Sequence, residues 1–184
     1  DILINLALDG FSNGVFNDPK KVGSGYKLIN VINMYTESPI NENDLTLLQI
    51  SQTEFLKNKV EYGDIFFTRS SLVPEGIAKS NIYLGLSDKI TYDGHLIRMR
   101  PKKEVINPIY LHYLLKTEWV RIQMIAKGKK AIMTTIGQSD VASVEISYSK
   151  SPKEQQKIAS CLSSLDALIA AQAEKIAQLK LHKK

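Results

Sequence analysis

The stretch "SPKEQQKIASCLSSLDALIAAQAEKIAQLKLHKK" (residues 151–184) decides how the rest of the chain is read. Ser151, Pro152 and Glu154 fit an N-cap, a first helical residue and a third-position acceptor, the capping box that opens a helix. Apolar residues then recur at Ile158, Leu162, Leu165, Ile169, Ile176 and Leu179, with Gln172 as the one polar member of the seam. Their spacings alternate between four and three, the pattern of a coiled coil. If helical to Lys184, the segment spans roughly 45–50 Å at ~1.5 Å per residue, longer than a small domain is wide. Its far half therefore has no core of its own to cover. A pairing helix is expected, from a second copy or from the other half of a longer polypeptide, and Gln172 would fix the register. The competing reading folds the helix back onto its own domain.

Residues 1–150 have a different texture, short apolar runs separated by turn chemistry. "GYKLINVINMY" (25–35) has strand composition after the glycine-rich "VGSG", and "LTLLQIS" (45–51) reads as a buried strand. A short helix over "QTEFLKN" follows, with Ser51 and Glu54 spaced for a capping box. "GDIFFTR" (63–69), "NIYLGL" (81–86) and "KITYDGHLIRMRP" (89–101) are further strand candidates. The period then lengthens. "NPIYLHYLLKTEWVRIQMIAKG" (107–128) has Asn107 as N-cap, Pro108 at the first helical position and Gly128 past the end. One helix is expected there, with Leu111, Leu114, Leu115, Trp119, Ile122 and Ala126 on one face. A loop leads to a last strand near "ASVEISY" (142–148). The expected class is α+β: a mixed, mostly antiparallel domain over 1–150, then one long C-terminal helix over 151–184.

Composition narrows the function classes. A hydrophobic fraction of 43% supplies a core and argues against disorder. No apolar run approaches the ~20 residues of a membrane span, and "DILINLALDG" has no basic leader, so no signal peptide is expected. Position 1 is Asp rather than Met, which suits a piece of a longer chain. The single Cys161 leaves no intrachain disulfide and no multi-cysteine metal site, which suits a reducing cytoplasm. The net charge is +5, of which residues 152–184 carry +3. A polyanion-binding surface on the body must then come from local clusters.

Three landmarks occur in order: "VEYGDIFFTRSS", "INPIYLHYLL" and the terminal helix. In that order the chain resembles the specificity subunits of type I restriction–modification systems. Gly63-Asp64-Ile65 matches that family's turn into a strand, and Ile106–Leu111 its Ile-x-Pro-x-x-Leu helix start. Pro152, Glu154-Gln155 and Ile158, then Leu165-Asp166 and Ile169, are similar to its closing helix, with one residue fewer after Pro152 than the commonest spacing. The resemblance covers essentially the whole chain but only one unit, about half of a usual specificity subunit. It implies a recognition domain that reads one half of a split double-stranded DNA target. It also implies antiparallel conserved helices that space two such readers. Methyltransferase (modification) subunits, and in some assemblies a restriction subunit, would be the protein partners. With one unit present, a homodimer through the terminal helix is one expectation, and a second half on the same polypeptide is the other.

DNA-facing positions are chosen on chemistry. "AKGKKAIMTTIGQSD" (126–140) offers Lys127, Lys129 and Lys130 to phosphate, and Thr134, Thr135 and Gln138 to phosphate or base edges. Gly128 and Gly137 would allow close backbone approach. A solvated helix C-terminus is the alternative, since lysines suit the helix dipole there. "FFTRSSLVPEGIAKSN" (66–81) gives Arg69, Ser70, Ser71 and Lys79, arginine being the commonest reader of guanine. A surface ion pair is the competing role for Arg69. "NDPKKVGSGYK" (17–27) gives Lys20, Lys21 and Tyr26 with Lys27, and otherwise reads as a plain surface loop. Arg98, Arg100, Lys102 and Lys103 read as a solvated face.

Catalytic readings find little. "NPIY" (107–110) departs from the Asn/Asp-Pro-Pro-Tyr motif of amino-methyltransferases at Ile109, and no glycine-rich methyl-donor turn precedes it. "AKGKKA" lacks phosphate-loop spacing, and no Asp…Glu-x-Lys nuclease cluster follows a strand. His95, His112 and His182 are scattered, and His112 reads as the flank of its helix. No catalytic residue, metal or cofactor is expected. The rival from another class is a coiled-coil adaptor whose body binds protein.

Overall fold

The computed structural model describes residues 1–182, without the side chain of His182. Its strands and helices are β1 (Ala7–Asn13), β2 (Val22–Ile29), β3 (Thr46–Leu48), α1 (Gln52–Lys57), β4 (Ile65–Thr68), β5 (Ser70–Ser71), β6 (Ser80–Ile82), β7 (Ile90–Tyr92), β8 (Leu96–Pro101), α2 (Pro108–Leu115), α3 (Glu118–Ala126), β9 (Thr134–Thr135), α4 (Gln138–Ala142) and α5 (Pro152–His182). The expected continuation of α5 to Lys184 lies outside the described residues.

An antiparallel sheet of order β1-β8-β4-β6 forms the centre. A second sheet, β3-β2-β7, pairs β2 antiparallel to β3 and parallel to β7, and β5 with β9 makes a two-stranded ribbon. Strand β4 explains why "IFFT" shows no polar alternation. It lies inside the sheet and both of its faces are covered, Ile65 and Phe67 entering one apolar cluster and Phe66 the other. The first cluster holds Ile97, Met99, Leu111, Leu115, Val120 and Met124; the second holds Ile29, Met34, Tyr83 and Tyr92.

Several sequence expectations are corrected. Residues 31–35 form a 3-10 turn after β2 ends at Ile29, where Asn33 Oδ1 accepts from the Asn30 amide at 2.8 Å. "NIYLGL" contributes a strand only to Ile82, and "KITYDGHLIRMRP" divides into β7 and β8 around a turn at Asp93–His95. The single helix expected over 107–128 is two helices. Thr117 takes an extended ψ of 147°, which restarts the helical phase. Leu111 and Leu115 keep their buried face, while Trp119 is 60% exposed and Ile122 57%, and Val120 and Met124 replace them in the core. No strand forms at 142–148; Glu145 makes a lone bridge to Ile2 after α4.

The Ser51–Glu54 capping box forms as expected. That of α5 is altered. The Glu154 amide lies 3.4 Å from Ser151 Oγ, but the Glu154 carboxylate accepts from Ser149 Oγ, which in turn accepts from the Ser151 amide at 3.1 Å.

Candidate nucleic-acid interface

The three sequence landmarks meet at the foot of α5. Gly63 sits at φ +90°, and a Cβ there would stand 3.0 Å from the Pro108 ring, so the first landmark packs directly on the second. Asp64 is fully buried. It accepts from the Glu61 amide and takes a two-point grip from Arg100, Nε at 2.8 Å and Nη2 at 2.9 Å. Arg98 and Arg100 also donate to the Lys59 carbonyl, and Arg98 lies over the Tyr92 ring, so the two arginines read as solvated are structural clamps. The second landmark joins the third through Gln155, 1% exposed. Its Oε1 accepts from the Asn107 amide at 2.7 Å, while its Nε2 donates to the carbonyls of Val105 and Ser149. Further along, Tyr113 Oη donates to Asp166 at 2.8 Å.

Beyond that tether the helix leaves the body. Ile158 and Leu162 are half-buried, and every residue from Ser164 to Leu181 is exposed, including Leu165, Ile169, Gln172, Ile176 and Leu179. The reading in which α5 folds over its own domain fails on this exposure.

The other end of the central sheet gathers two of the sequence-chosen clusters. Ser70 pairs with Thr135 and Ser71 with Thr134, and the Ile136 amide donates to the Arg69 carbonyl at 2.9 Å. Lys129 exchanges two backbone hydrogen bonds with Thr135, 2.8 and 3.0 Å, which makes 129–135 a hairpin laid beside Arg69. Its tip carries exposed Lys130, Ile132 and Met133, and the neighbouring loop carries exposed Leu72 and Val73. Arg69 is exposed, and its guanidinium makes no hydrogen bond or ion pair among the described residues. Lys127 is half-buried at the end of α3, and Lys129 lies 3.8 Å from Asp140. Ser71 and Thr134 are buried, Ser71 Oγ accepting from the Val73 amide. Gln138 donates to Asn13 at 2.6 Å, and Lys79 reaches over the Tyr35 ring. Gly128 is needed for internal packing, since a Cβ would meet the Thr134 methyl at 2.9 Å.

Lys20, Lys21 and Tyr26 belong to the second sheet and its approach, not to this ribbon. Tyr26 stacks on Phe55 with 3.9 Å between ring centres, and the two lysines are exposed on the turn before β2.

Sequence reasoning missed Arg121, whose guanidinium donates to the carbonyls of Glu75, Ile77 and Ala78 and so holds the loop after β5. Its burial lowers its pKa. A lone arginine in an apolar stretch was the available signal. His112, read as helix flank, is in fact 2% exposed with Nδ1 unpartnered, and burial pushes its pKa down to about 3. Among the described residues no group of three or more His, Cys, Asp or Glu is placed to hold a metal ion, and no helix is long and apolar enough to cross a membrane.

The architecture is a mixed sheet domain from which a helix, tied down at its first turns, projects. Residues 16–181 match the family described as type I restriction modification DNA specificity domain, and the chain belongs to that family. It is 29% identical over 182 residues to a Methanocaldococcus jannaschii protein named as a type I restriction enzyme MjaX specificity subunit, covering 96% of this chain and 41% of that one. The crystal structure of the M. genitalium type I restriction–modification S subunit superposes with a TM-score of 0.61 at 16% identity, over 95% of this chain and 40% of that one. The HsdS subunit of Thermoanaerobacter tengcongensis gives 0.66 at 14% identity, over 93% and 42%. The chain thus spans about two fifths of the length of each of these three proteins.

Proposed function

We propose that this chain is a specificity subunit, or half of one, that reads one half of a bipartite double-stranded DNA target. In this reading residues 1–150 recognise DNA, and 151–184 pair with a second helix and help seat methyltransferase subunits. The single observation that carries the DNA face is the register Arg69–Ile136, Ser70–Thr135, which joins two clusters chosen independently for phosphate and base chemistry. Lys127, Lys129 and Lys130 supply phosphate contacts and Arg69 a base contact, with Ser70 and Thr135 between them. Lys20, Lys21 and Tyr26 serve as a separate, outlying backbone contact. Ser71, Lys79, Thr134 and Gln138 shape the edge from behind.

The reading assigns no catalysis to this chain; chemistry belongs to its modification partners, and the compartment is the cytoplasm where DNA is found. The far seam of α5 pairs with a second copy or with a second unit of a longer polypeptide. Titration of duplex DNA at rising salt tests the DNA reading. Several neutralised phosphates give a steep loss of affinity, and salt-insensitive binding would overturn it in favour of the adaptor.

A further inference from the structure

The turn between β7 and β8, "TYDGH" (91–95), carries a side chain that the DNA face has not yet used. Strand pairing runs Phe67 opposite Ile97 and Thr68 opposite Leu96, and the Arg69 amide continues it by donating to the His95 carbonyl at 3.0 Å. Arg69 and His95 therefore meet where the β4–β8 pairing ends, joined by that one backbone hydrogen bond.

The two differ in how they are held. Asp93 is buried, its side chain 6% exposed, and Oδ1 meets both the His95 amide at 2.7 Å and the ring Nδ1 at 2.8 Å. The imidazole itself is 66% exposed. Its turn is clamped from outside as well. Asn13 donates to the carbonyls of Gly94 and Leu96, Gln138 donates to Asn13, and the Gly94 amide donates to the Val15 carbonyl at 2.7 Å. A solvent-facing imidazole fixed by a buried carboxylate has little orientational freedom left to lose on binding. In the tautomer that carries its proton on Nδ1, toward the carboxylate, the imidazole presents Nε2 as a hydrogen-bond acceptor.

We infer that His95, oriented by Asp93, is a second base-reading residue beside Arg69, accepting a hydrogen bond from an exocyclic amine of adenine or cytosine. In the major groove those amines are the donors a lone pair can address, whereas guanine and thymine present acceptors there. Asp93 is a positioning residue that acts through the ring. The inference rests on the DNA-reading proposal above.

The test is selection of bound duplexes from a randomised pool by the full chain in complex with its modification subunits, comparing the parent with His95→Ala, His95→Gln and Asp93→Ala. In His95→Ala the preference at one base position, adenine or cytosine in the parent, weakens about 3- to 10-fold while the others stand. His95→Gln, which keeps an acceptor, restores part of it. Asp93→Ala weakens the same position, and if that variant fails to fold the two His95 variants decide alone. A parent that selects a sequence which His95→Ala selects equally well overturns this inference and leaves the DNA reading intact. So does a uniform loss across all positions, which marks a phosphate contact. A parent that selects nothing overturns both.

Discussion

The two ends of the central sheet use polar side chains in opposite ways. At the foot of α5, Asp64, Arg100, Gln155 and Asn107 are satisfied by one another and by backbone groups; Asp64 and Gln155 are buried and the other two half-buried. At the Arg69 end the cations stand in solvent: Arg69 is unpaired among the described residues, Lys130 is exposed, and Lys129 has one loose carboxylate partner. A buried hydrogen-bonded group costs stability when its partner is removed, while an exposed one costs almost nothing until a ligand arrives. The first end holds the fold's geometry; the second is available to a partner.

The largest effect expected is on the buried pair. Asp64→Ala takes the two-point partner from Arg100, whose side chain is only 18% exposed and keeps Glu61 and the Lys59 carbonyl, and it leaves the Glu61 amide unpaired. It should cost roughly 3–5 kcal/mol in urea unfolding, with the proposed DNA face untouched in whatever fraction stays folded. A loss below ~1 kcal/mol would show that the foot is no more committed than the surface.

Acid tests the same contrast through His112. Its folded-state pKa of about 3 lies below the ordinary 6.5, so the unfolded chain binds the extra proton. Stability therefore rises with pH across that interval: the histidine adds no penalty well above 6.5, and a growing one as pH falls from 6.5 toward 3. At ~1.4 kcal/mol per unit the full penalty, reached only below pH 3, is roughly 5 kcal/mol. His112→Leu should remove that part of the slope in denaturation curves taken from pH 7 to pH 4. An unchanged slope would place the acid sensitivity elsewhere.

The opposite end should respond only when DNA is present. Lys129→Ala with Lys130→Ala is expected to leave the melting temperature within a degree or two. Affinity for every duplex should weaken together, and the slope of log K against log salt should shrink by about 2. A change confined to one sequence would assign these lysines to bases instead of phosphates.

How much of this was legible beforehand follows from what each signal depends on. Capping and helix starts depend on neighbours in sequence, and Asn107, Pro108 and Ser51 behave as their types demand. The long helix α5 was readable because its start signals and apolar periodicity are both local to the sequence. Trp119 and Ile122 misled because one extended residue, Thr117, resets the helical phase and leaves no trace in apolar spacing. Arg98 and Arg100 looked solvated because their partners, Asp64 and the Lys59 carbonyl, lie more than thirty residues away. The Arg69 and Lys129 clusters could be chosen by chemistry, but their meeting is a long-range strand pairing that local sequence does not encode.

The smallest effect on the folded body should come from the far half of α5, which makes this region the sharpest contrast with the foot. Ile158 packs on the body, Leu162 is half-buried and Tyr113 holds Asp166, whereas Ile169 and Ile176 are exposed and touch nothing in the chain's own core. Ile169→Glu with Ile176→Glu removes apolar surface already exposed and adds charge in water, so unfolding of the monomer should shift by no more than ~0.5 kcal/mol per site. Self-association is the property at stake. Two long helices that pair through the seam would have to hide these positions, and a carboxylate on each side of Gln172 would stand against apolar neighbours with no partner. Sedimentation of the parent chain above micromolar concentration should show dimers that the double variant lacks. If both chains sediment as monomers, the seam serves a second unit or another protein; if the variant instead unfolds, the far half is part of the body after all.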